Sequence, residues 1–381
     1  FGVAIDAAGV INIKTVDDRS GRLRRERLAA AKAALPADVA ARTDLRKVSL
    51  NRLETALKQR LAAGQLPDAT MRNLAGLERL QYVFFYPERN EIVIAGPADG
   101  WLADAVGRSV TLTSGRPVLQ LADLLVALRA YPPGGRQQPF IGCTIDPSPD
   151  GLVRLRQFQK SVPRSIPQRQ RPQAAAQIAA GLRNSLGMAQ VRVFGISPKT
   201  HFARVLVEAD YRMKLIGTGL EPPPIRMVTF LGALRTAHES TLQRWWFTPN
   251  YDCIKASDDR LAMELVGQGV RLQAEDKVIG PDGRLLHAGA KPNRASELFT
   301  TSFTAKYPQL AAASPVYAQL RNLIDLLVAA AFIQQQDYYG TAGWSAATLL
   351  DERALATQTG PAPKQVPCVA NSVWKGSRLF A

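Results

Sequence analysis

Four neighbouring residues, Glu208, Asp210, Tyr211 and Lys214, are the best candidates for acid–base chemistry in this sequence. On a helix, residues 210 and 214 share one face, so the carboxylate and the ammonium group would be adjacent. If that face is buried, Asp210, Lys214 and Tyr211 form a candidate catalytic group. The interpretation that we prefer is a solvated ladder of ion pairs, and we therefore predict no catalytic residue.

The usual motifs of catalysis, metal binding and cofactor binding do not occur. His201, His238 and His287 have no His, Cys or carboxylate at metal-ligand spacing apart from Glu239 beside His238. The sequence contains no GxSxG, no GxxxxGK[ST] and no GxGxxG motif. We expect neither a metal ion nor a cofactor.

The densest aromatic cluster is Arg244-Trp245-Trp246-Phe247. In a strand, Trp245 and Phe247 point to one side and Trp246 points to the other. One side should belong to the core, while the other can form a platform for a sugar, a peptide or a partner protein. We predict Trp245 or Trp246 as an aromatic anchor for binding.

Positive charge is concentrated in one segment. Lys plus Arg number 48 and Asp plus Glu 32, which gives a net charge of +16, and residues 151–207 carry ten basic and no acidic residues. Such a segment attracts acidic partners or polyanions at low salt. We predict electrostatic binding by six of these residues, called the basic set here: Arg154, Arg156, Lys160, Arg164, Arg169 and Arg171.

Composition is typical of a soluble globular protein of two or three domains, because 46% of the 381 residues are hydrophobic and 21% are charged. The three cysteines are too few and too widely spaced for a disulfide framework. No stretch reaches the roughly 20 apolar residues of a transmembrane helix; the nearest, 323–333, contains Asp325. The chain begins with Phe1 and not with Met, for which we expect removal of a signal peptide, a trimmed start or an engineered start.

Hydrophobic periodicity predicts an α+β fold with mainly antiparallel sheets and packed helices. The best amphipathic helix is expected over 198–220, and a hairpin is expected at Gly267-Gln268-Gly269. We predict two compact α+β parts joined by a basic segment rich in Pro and Gln. Their ranges are 1–150 for the N-terminal domain, 151–173 for the linker or long loop, 174–358 for the C-terminal domain and 359–381 for an extended tail.

Several strings occur together in this sequence: LQYVFFYPERN at 80–90, IAGP at 94–97 with Gly100-Trp101, LQLADLLVAL at 119–128, THFA at 200–203, VEADYRMK at 207–214, RWWF at 244–247 and PVYAQLRNL at 315–323. Taken together, they resemble an uncharacterised family of unknown function, known chiefly from planctomycete-type bacteria. The resemblance extends over roughly residues 1–335 and implies a bacterial, exported protein, with no activity to carry over.

These observations favour a non-enzymatic interaction or structural component of a bacterial cell-envelope or extracellular assembly. Its expected partners are other proteins of that assembly, and an anionic polymer or lipid surface is a further candidate. The first alternative is a hydrolase or lyase that acts on an acidic polymer near Asp210. The second is non-specific binding of nucleic acid, although no sequence-specific binding motif is present. The expected location is periplasmic or extracellular, with the cytoplasm as the alternative.

Overall fold

Helices and short antiparallel sheets alternate along the chain, in a computed structural model that describes most of its residues. The described residues are 2–6, 9–14, 20–135, 140–163, 166–235, 242–251, 253–279, 285–287, 293–375 and 378–380. Helix accounts for 45% and strand for 23% of the structure, which confirms the predicted α+β class.

The strands are short, and most of them pair with neighbours in antiparallel sheets. They are β1 (Gly2–Ile5), β2 (Ile11–Lys14), β3 (Thr43–Ser49), β4 (Tyr82–Tyr86), β5 (Glu91–Ala98), β6 (Trp101–Ala103), β7 (Ser109–Thr111), β8 (Gly142–Pro147), β9 (Met188–Phe194), β10 (Leu242–Asn250), β11 (Cys253–Ala256), β12 (Ala262–Val266), β13 (Gly269–Ile279), β14 (Leu285–His287), β15 (Gln365–Pro367), β16 (Val373–Lys375) and β17 (Arg378–Phe380).

The helices range from a single turn to 21 residues. They are α1 (Arg22–Ala34), α2 (Ala37–Ala40), α3 (Leu50–Ala62), α4 (Ala69–Arg72), α5 (Leu121–Ala130), α6 (Pro149–Ser161), α7 (Arg171–Leu186), α8 (His201–Gly217), α9 (Phe230–Ala233), α10 (Arg294–Ala305), α11 (Tyr307–Ala313), α12 (Pro315–Gln335), α13 (Tyr338–Thr341) and α14 (Ala347–Leu350). Short 3₁₀ turns lie at Leu74–Gly76, Pro87–Arg89 and Gln168–Gln170.

The largest sheet has five antiparallel strands in the order β11-β12-β4-β5-β3. The β4–β5 hairpin turns at Asn90, whose φ of 51° is left-handed, a conformation that Asn tolerates better than most residues. The sheet combines strands from both of the parts predicted from the sequence, because β12 pairs with β4. The predicted division at residue 150 therefore does not separate the sheets.

The hairpin predicted at Gly267-Gln268-Gly269 is wrong, because β12 and β13 belong to different sheets. β13 instead forms a three-stranded antiparallel sheet with β10 and β14. Gly269 has a φ of +90°, so the chain bends sharply there and leaves one sheet for the other.

Helix α12 lies at the centre of the fold. Its C-terminal half packs with α3 and α5 against the five-stranded sheet, and its N-terminal half packs against α10 and α11. It is the one helix of the described chain that is long and apolar enough to span a membrane, but 78% of that stretch is buried by protein. Its apolar surface is thus used to build the core.

A third sheet, β15-β9-β8, lies beside α6, α7 and α8. The predicted linker at 151–173 is wrong over its first part, because α6 extends through Ser161 and buries Leu152 and Leu155 against α7. Leu152 and Leu155 are three residues apart and so share a helix face. The expected tail at 359–381 is docked, since β15 pairs with β9 and buries Val366 completely.

We predict that Phe303→Ala lowers the free energy of unfolding by about 3–5 kcal/mol. Phe303 is fully buried and its ring contacts those of Phe299 and Tyr317, with centroids at 5.8 and 5.3 Å. Urea denaturation measures the loss. The control is Leu66→Ala at a side chain that is 75% exposed, for which we expect a change below about 0.5 kcal/mol. Similar losses in both variants would contradict this assignment of the core.

Candidate functional site

Helix α8 positions the acidic and basic residues that the sequence singles out. It begins after Thr200, whose side chain accepts a hydrogen bond from the backbone N–H of Ala203, and 13 of its 17 residues are buried. It contacts α5, α12, β8 and β10. Polar side chains on this helix are therefore held within the protein and must find partners there.

Asp210 and Lys214 form a buried ion pair. Lys214 Nζ donates to Asp210 Oδ2 at 2.5 Å, and the side chains of Lys214 and Asp210 are only 12% and 6% exposed. The solvated ladder that we preferred from the sequence is therefore wrong for this pair. Burial raises the pKa of Asp210 even though the Lys214 ammonium opposes the shift, so desolvation outweighs the attraction between the two charges.

The other charged residues of α8 are paired as well. Glu208 accepts from Arg108 at 2.7 Å, and Arg212 donates to Glu221 at 2.6 Å. Arg212 also lies 3.6 Å from Glu208. These pairs tie the β6–β7 connection and the segment after α8 to the helix.

Lys214 and Tyr211 line a pocket of about 510 Å³. The pocket walls come from β8, α6, α7, α8, β10 and the segment 367–371. Most of the lining side chains are apolar, for example Leu155, Leu182 and Phe230. The α6–α7 wall is closely packed, because a Cβ at Gly181 would lie 2.1 Å from the Phe158 ring.

Ten of the 26 lining residues are polar or charged, and Asp146, Lys214, Arg244 and Glu275 are among them. Thr144 Oγ1 is buried and has no hydrogen-bonding partner among the described residues, so it is available to a ligand. Burial raises the pKa of Tyr211 to about 12, and the phenol therefore stays protonated at neutral pH and can donate. Burial also raises the pKa of Cys143 well above its usual range, which disfavours a nucleophilic thiolate. Such a pocket can bind and orient a mainly apolar group.

The two tryptophans have different roles. Trp245 is 4% exposed, donates from Nε1 to Ser296 Oγ at 2.8 Å and packs edge-to-face against Phe230 and Phe299. Trp246 lies on the opposite face of β10 and is half-buried, and both tryptophans line the pocket. The two residues thus differ in burial as the alternation predicts, and Trp246 exposes the larger fraction of its surface.

The basic set is divided between two helices and a turn. Arg154 and Lys160 are exposed and Arg156 is half-buried on α6, the helix whose Leu155 and Gln159 line the pocket. Arg169 is exposed in the 3₁₀ turn before α7. Arg171 stacks on the Trp374 ring at 5.1 Å, and Arg164 lies outside the described residues.

The histidines do not form a metal site in the described part of the chain. His201 Nδ1 lies 2.9 Å from Asp123 Oδ2, and its Nε2 faces the Gln319 amide at 3.4 Å, so the ring links α8 to α5 and α12. His238 and the side chain of His287 lie outside the described residues. No three His, Cys, Asp or Glu side chains among the described ones are grouped to hold a metal ion.

Sequence reasoning missed the β8 strand and the segment 367–371 as parts of this site. Thr144 and Cys368 line the pocket, but no charge pattern or motif distinguishes them in the sequence. Arg244 and Glu275, which face each other across β10 and β13, were likewise not singled out as pocket residues. Strand pairing is the signal that brings these distant segments together.

We predict that Lys214→Met lowers the free energy of unfolding by about 3 kcal/mol at neutral pH, because it leaves the Asp210 carboxylate buried without a cation. At about pH 5 the loss should be smaller. This variant lacks the Lys214 ammonium, the largest contribution that opposes the effect of burial on the pKa of Asp210, so the folded state takes up a proton as the pH falls. Urea denaturation at both pH values measures the difference.

The matched control is Lys160→Met, which removes the same ammonium group from an exposed position on α6. We expect a change below about 0.5 kcal/mol at either pH. A loss in Lys214→Met that does not depend on pH would contradict the buried ion pair.

Comparison with known proteins adds one match. Residues 143–230 match the model of a family described as a protein of unknown function (DUF1598). No curated protein and no solved structure matches the chain significantly. The matched range contains α6, α7, β9, α8 and all of β8 except its first residue, and it provides more than half of the residues that line the pocket.

Proposed function

We propose that this chain is a non-enzymatic binding component of a larger protein assembly, and that its pocket receives an apolar side chain from an acidic segment of a partner protein. The observation that carries this proposal is the position of the pocket beside the basic residues of α6. Leu155 and Gln159 line the pocket, and Arg156 and Lys160 are the next residues along the same helix.

The size and lining of the pocket support the proposal that it receives an apolar side chain. Its volume of about 510 Å³ exceeds that of any single side chain, and half-buried Trp246 forms part of its wall. Tryptophans in such positions often dominate the energy of protein–protein association, because they bury a large apolar area with little loss of conformational entropy. Thr144 Oγ1 and the Tyr211 hydroxyl can orient the backbone of an inserted segment.

The basic residues support the proposal that the partner segment is acidic. Arg154 and Lys160 are exposed on α6, and Arg169 is exposed nearby in sequence. Exposed cations at the edge of an apolar site raise the rate of association with acidic partners and disfavour basic ones, while adding little to the affinity of each contact. The charge is therefore expected to select the partner, and the pocket to hold it.

The contacts of the candidate catalytic group support binding better than turnover. Asp210 is not among the lining residues, and its carboxylate is held by Lys214 at 2.5 Å. With a pKa of about 12, Tyr211 is a poor base at neutral pH. A hydrolase or lyase acting on an acidic polymer remains the alternative, and its critical residue would be Asp210.

The proposal includes a location in a bacterial cell envelope. The resemblance of the sequence to a family known chiefly from planctomycete-type bacteria favours an exported protein. The net charge of +16 suits contact with the acidic components of such an assembly.

We predict that a fluorescent peptide of glutamates with one central leucine binds the protein and that Trp246→Ala weakens this binding by at least about tenfold. The Arg156→Gln/Lys160→Gln double variant should weaken binding less and reduce its dependence on salt. Fluorescence anisotropy measures both effects. An all-glutamate peptide should bind about tenfold more weakly, because it lacks the side chain that enters the pocket.

The matched control is Lys32→Gln/Lys255→Gln, which removes two exposed charges away from the pocket and should leave the affinity almost unchanged. Equal binding by the control and both variants would contradict the proposal.

Loss of a measured turnover in Asp210→Asn, with the fold intact, would favour the enzyme. Retardation of arbitrary DNA duplexes with a steep salt dependence would favour nucleic-acid binding.

A further inference from the structure

Three arginines gather near the middle of α12, on segments that lie outside the pocket. Arg79 Nε donates to Asp325 Oδ2 at 3.1 Å, and Arg116 Nη1 donates to Glu78 Oε1 at 2.6 Å. Asn322 Nδ2 donates to the Glu78 carbonyl at 3.1 Å and so holds the Glu78–Arg79 segment against α12. Arg321 is close enough for Arg79 and Arg116 to contribute to the lowering of its pKa, although burial is the main cause.

Two guanidinium N–H groups of this cluster are buried without a partner. Arg79 Nη2 and Arg321 Nε form no hydrogen bond to any described residue. The nearby carboxylates are already engaged: Asp325 accepts from Arg79 and from the Tyr251 hydroxyl, and Glu78 accepts from Arg116 and from Ser114. Buried donors in native proteins nearly always have an acceptor, so these two require an explanation.

The charge of the cluster also points to an anion. Three guanidinium groups face two carboxylates, and burial raises the pKa of Asp325 to about 7, so that its carboxyl group is partly protonated at neutral pH. An excess of at least one positive charge is left near the surface. The Arg116 side chain is 42% exposed and the Arg79 side chain 21%, which gives an anion a route from solvent.

The chemistry of the cluster favours a phosphate over other anions. Three guanidinium groups from separate segments offer enough N–H donors for several oxygens of one tetrahedral ligand. The next residue of α12, Asn322, has a buried Oδ1 without a partner among the described residues. A singly protonated phosphate has an O–H that can donate to such an atom, whereas sulfate and chloride have none.

We propose that Arg79, Arg116 and Arg321 form a binding site for a phosphate group, whose oxygens accept from Arg79 Nη2 and Arg321 Nε. The phosphate belongs either to the free ion or to a phosphomonoester. This site is independent of the pocket and of the function proposed above, since none of the three arginines lines the pocket.

Isothermal titration calorimetry of the full chain with inorganic phosphate, at constant ionic strength set by KCl, tests the proposal. We expect saturable binding at one site, weakened at least about tenfold by Arg321→Gln. Because Arg321 is largely buried, the Arg116→Gln variant is tested as well, and it should weaken binding while leaving the fold intact.

Glycerol phosphate is the phosphomonoester used to identify the source of the phosphate. Tighter binding of glycerol phosphate than of inorganic phosphate identifies an ester as the ligand, and equal or weaker binding identifies the free ion.

The matched control is Arg52→Gln, because Arg52 also pairs with a glutamate, Glu91, but is 68% exposed and belongs to another part of the fold. It should bind phosphate as the unmodified chain does. Absence of saturable binding would overturn the proposal, as would equal affinity of all three variants. Sulfate that binds as tightly as phosphate would overturn the choice of phosphate.

Discussion

Several charged residues are buried on α8, and each of them needs a counter-charge. This requirement constrains the central part of the protein. Glu208, Asp210 and Arg212 are each no more than 8% exposed, on a helix that is covered by other elements along most of its length. A charge in such surroundings is costly unless a counter-charge lies within hydrogen-bonding distance. Arg108 and Lys214 supply counter-charges for the carboxylates, and Glu221 supplies one for Arg212. The β6–β7 connection and the segment after α8 are thereby fixed relative to the helix.

The pocket lies where one face of α8 is left without a covering element, between β8 and β10. An aliphatic residue in place of Lys214 would leave the buried Asp210 carboxylate without a cation, whereas the lysine lines the pocket and keeps its ammonium group on Asp210. A residue that looks catalytic in the sequence is thus part of a buried ion pair beside the pocket.

Local sequence patterns predict the helices and strands whose apolar residues recur at a regular spacing. They do not predict which strands pair when those strands lie far apart in the chain. Regular apolar spacing predicts helix α8 over 198–220, and the helix extends over His201–Gly217. Charge and proline content predict a linker at 151–173, but Leu152 and Leu155 are sufficient to bury one face of a helix once α7 packs on it. The hairpin at Gly267–Gly269 failed because β12 gains a partner in β4, about 180 residues earlier. The pocket was not predictable for the same reason: its walls extend from β8 to the segment 367–371.

Unpartnered polar atoms are concentrated on the N-terminal half of α12, where Tyr317, Gln319, Arg321 and Asn322 each bury one. The C-terminal half of the same helix is lined by Leu326, Ala329, Ala330 and Ile333 and packs without such atoms among its described residues. The C-terminal half of α12 thus packs as an apolar core, whereas the N-terminal half buries polar atoms that have no hydrogen-bonding partner among the described residues. Apolar side chains of similar volume would cost less at those positions, because each orphaned donor or acceptor loses its hydration on folding and gains nothing in return. Departures of this kind occur in native proteins mainly where a site is built, and the phosphate site proposed above accounts for two of these four residues, Arg321 and Asn322, whereas Gln319 faces His201 of α8.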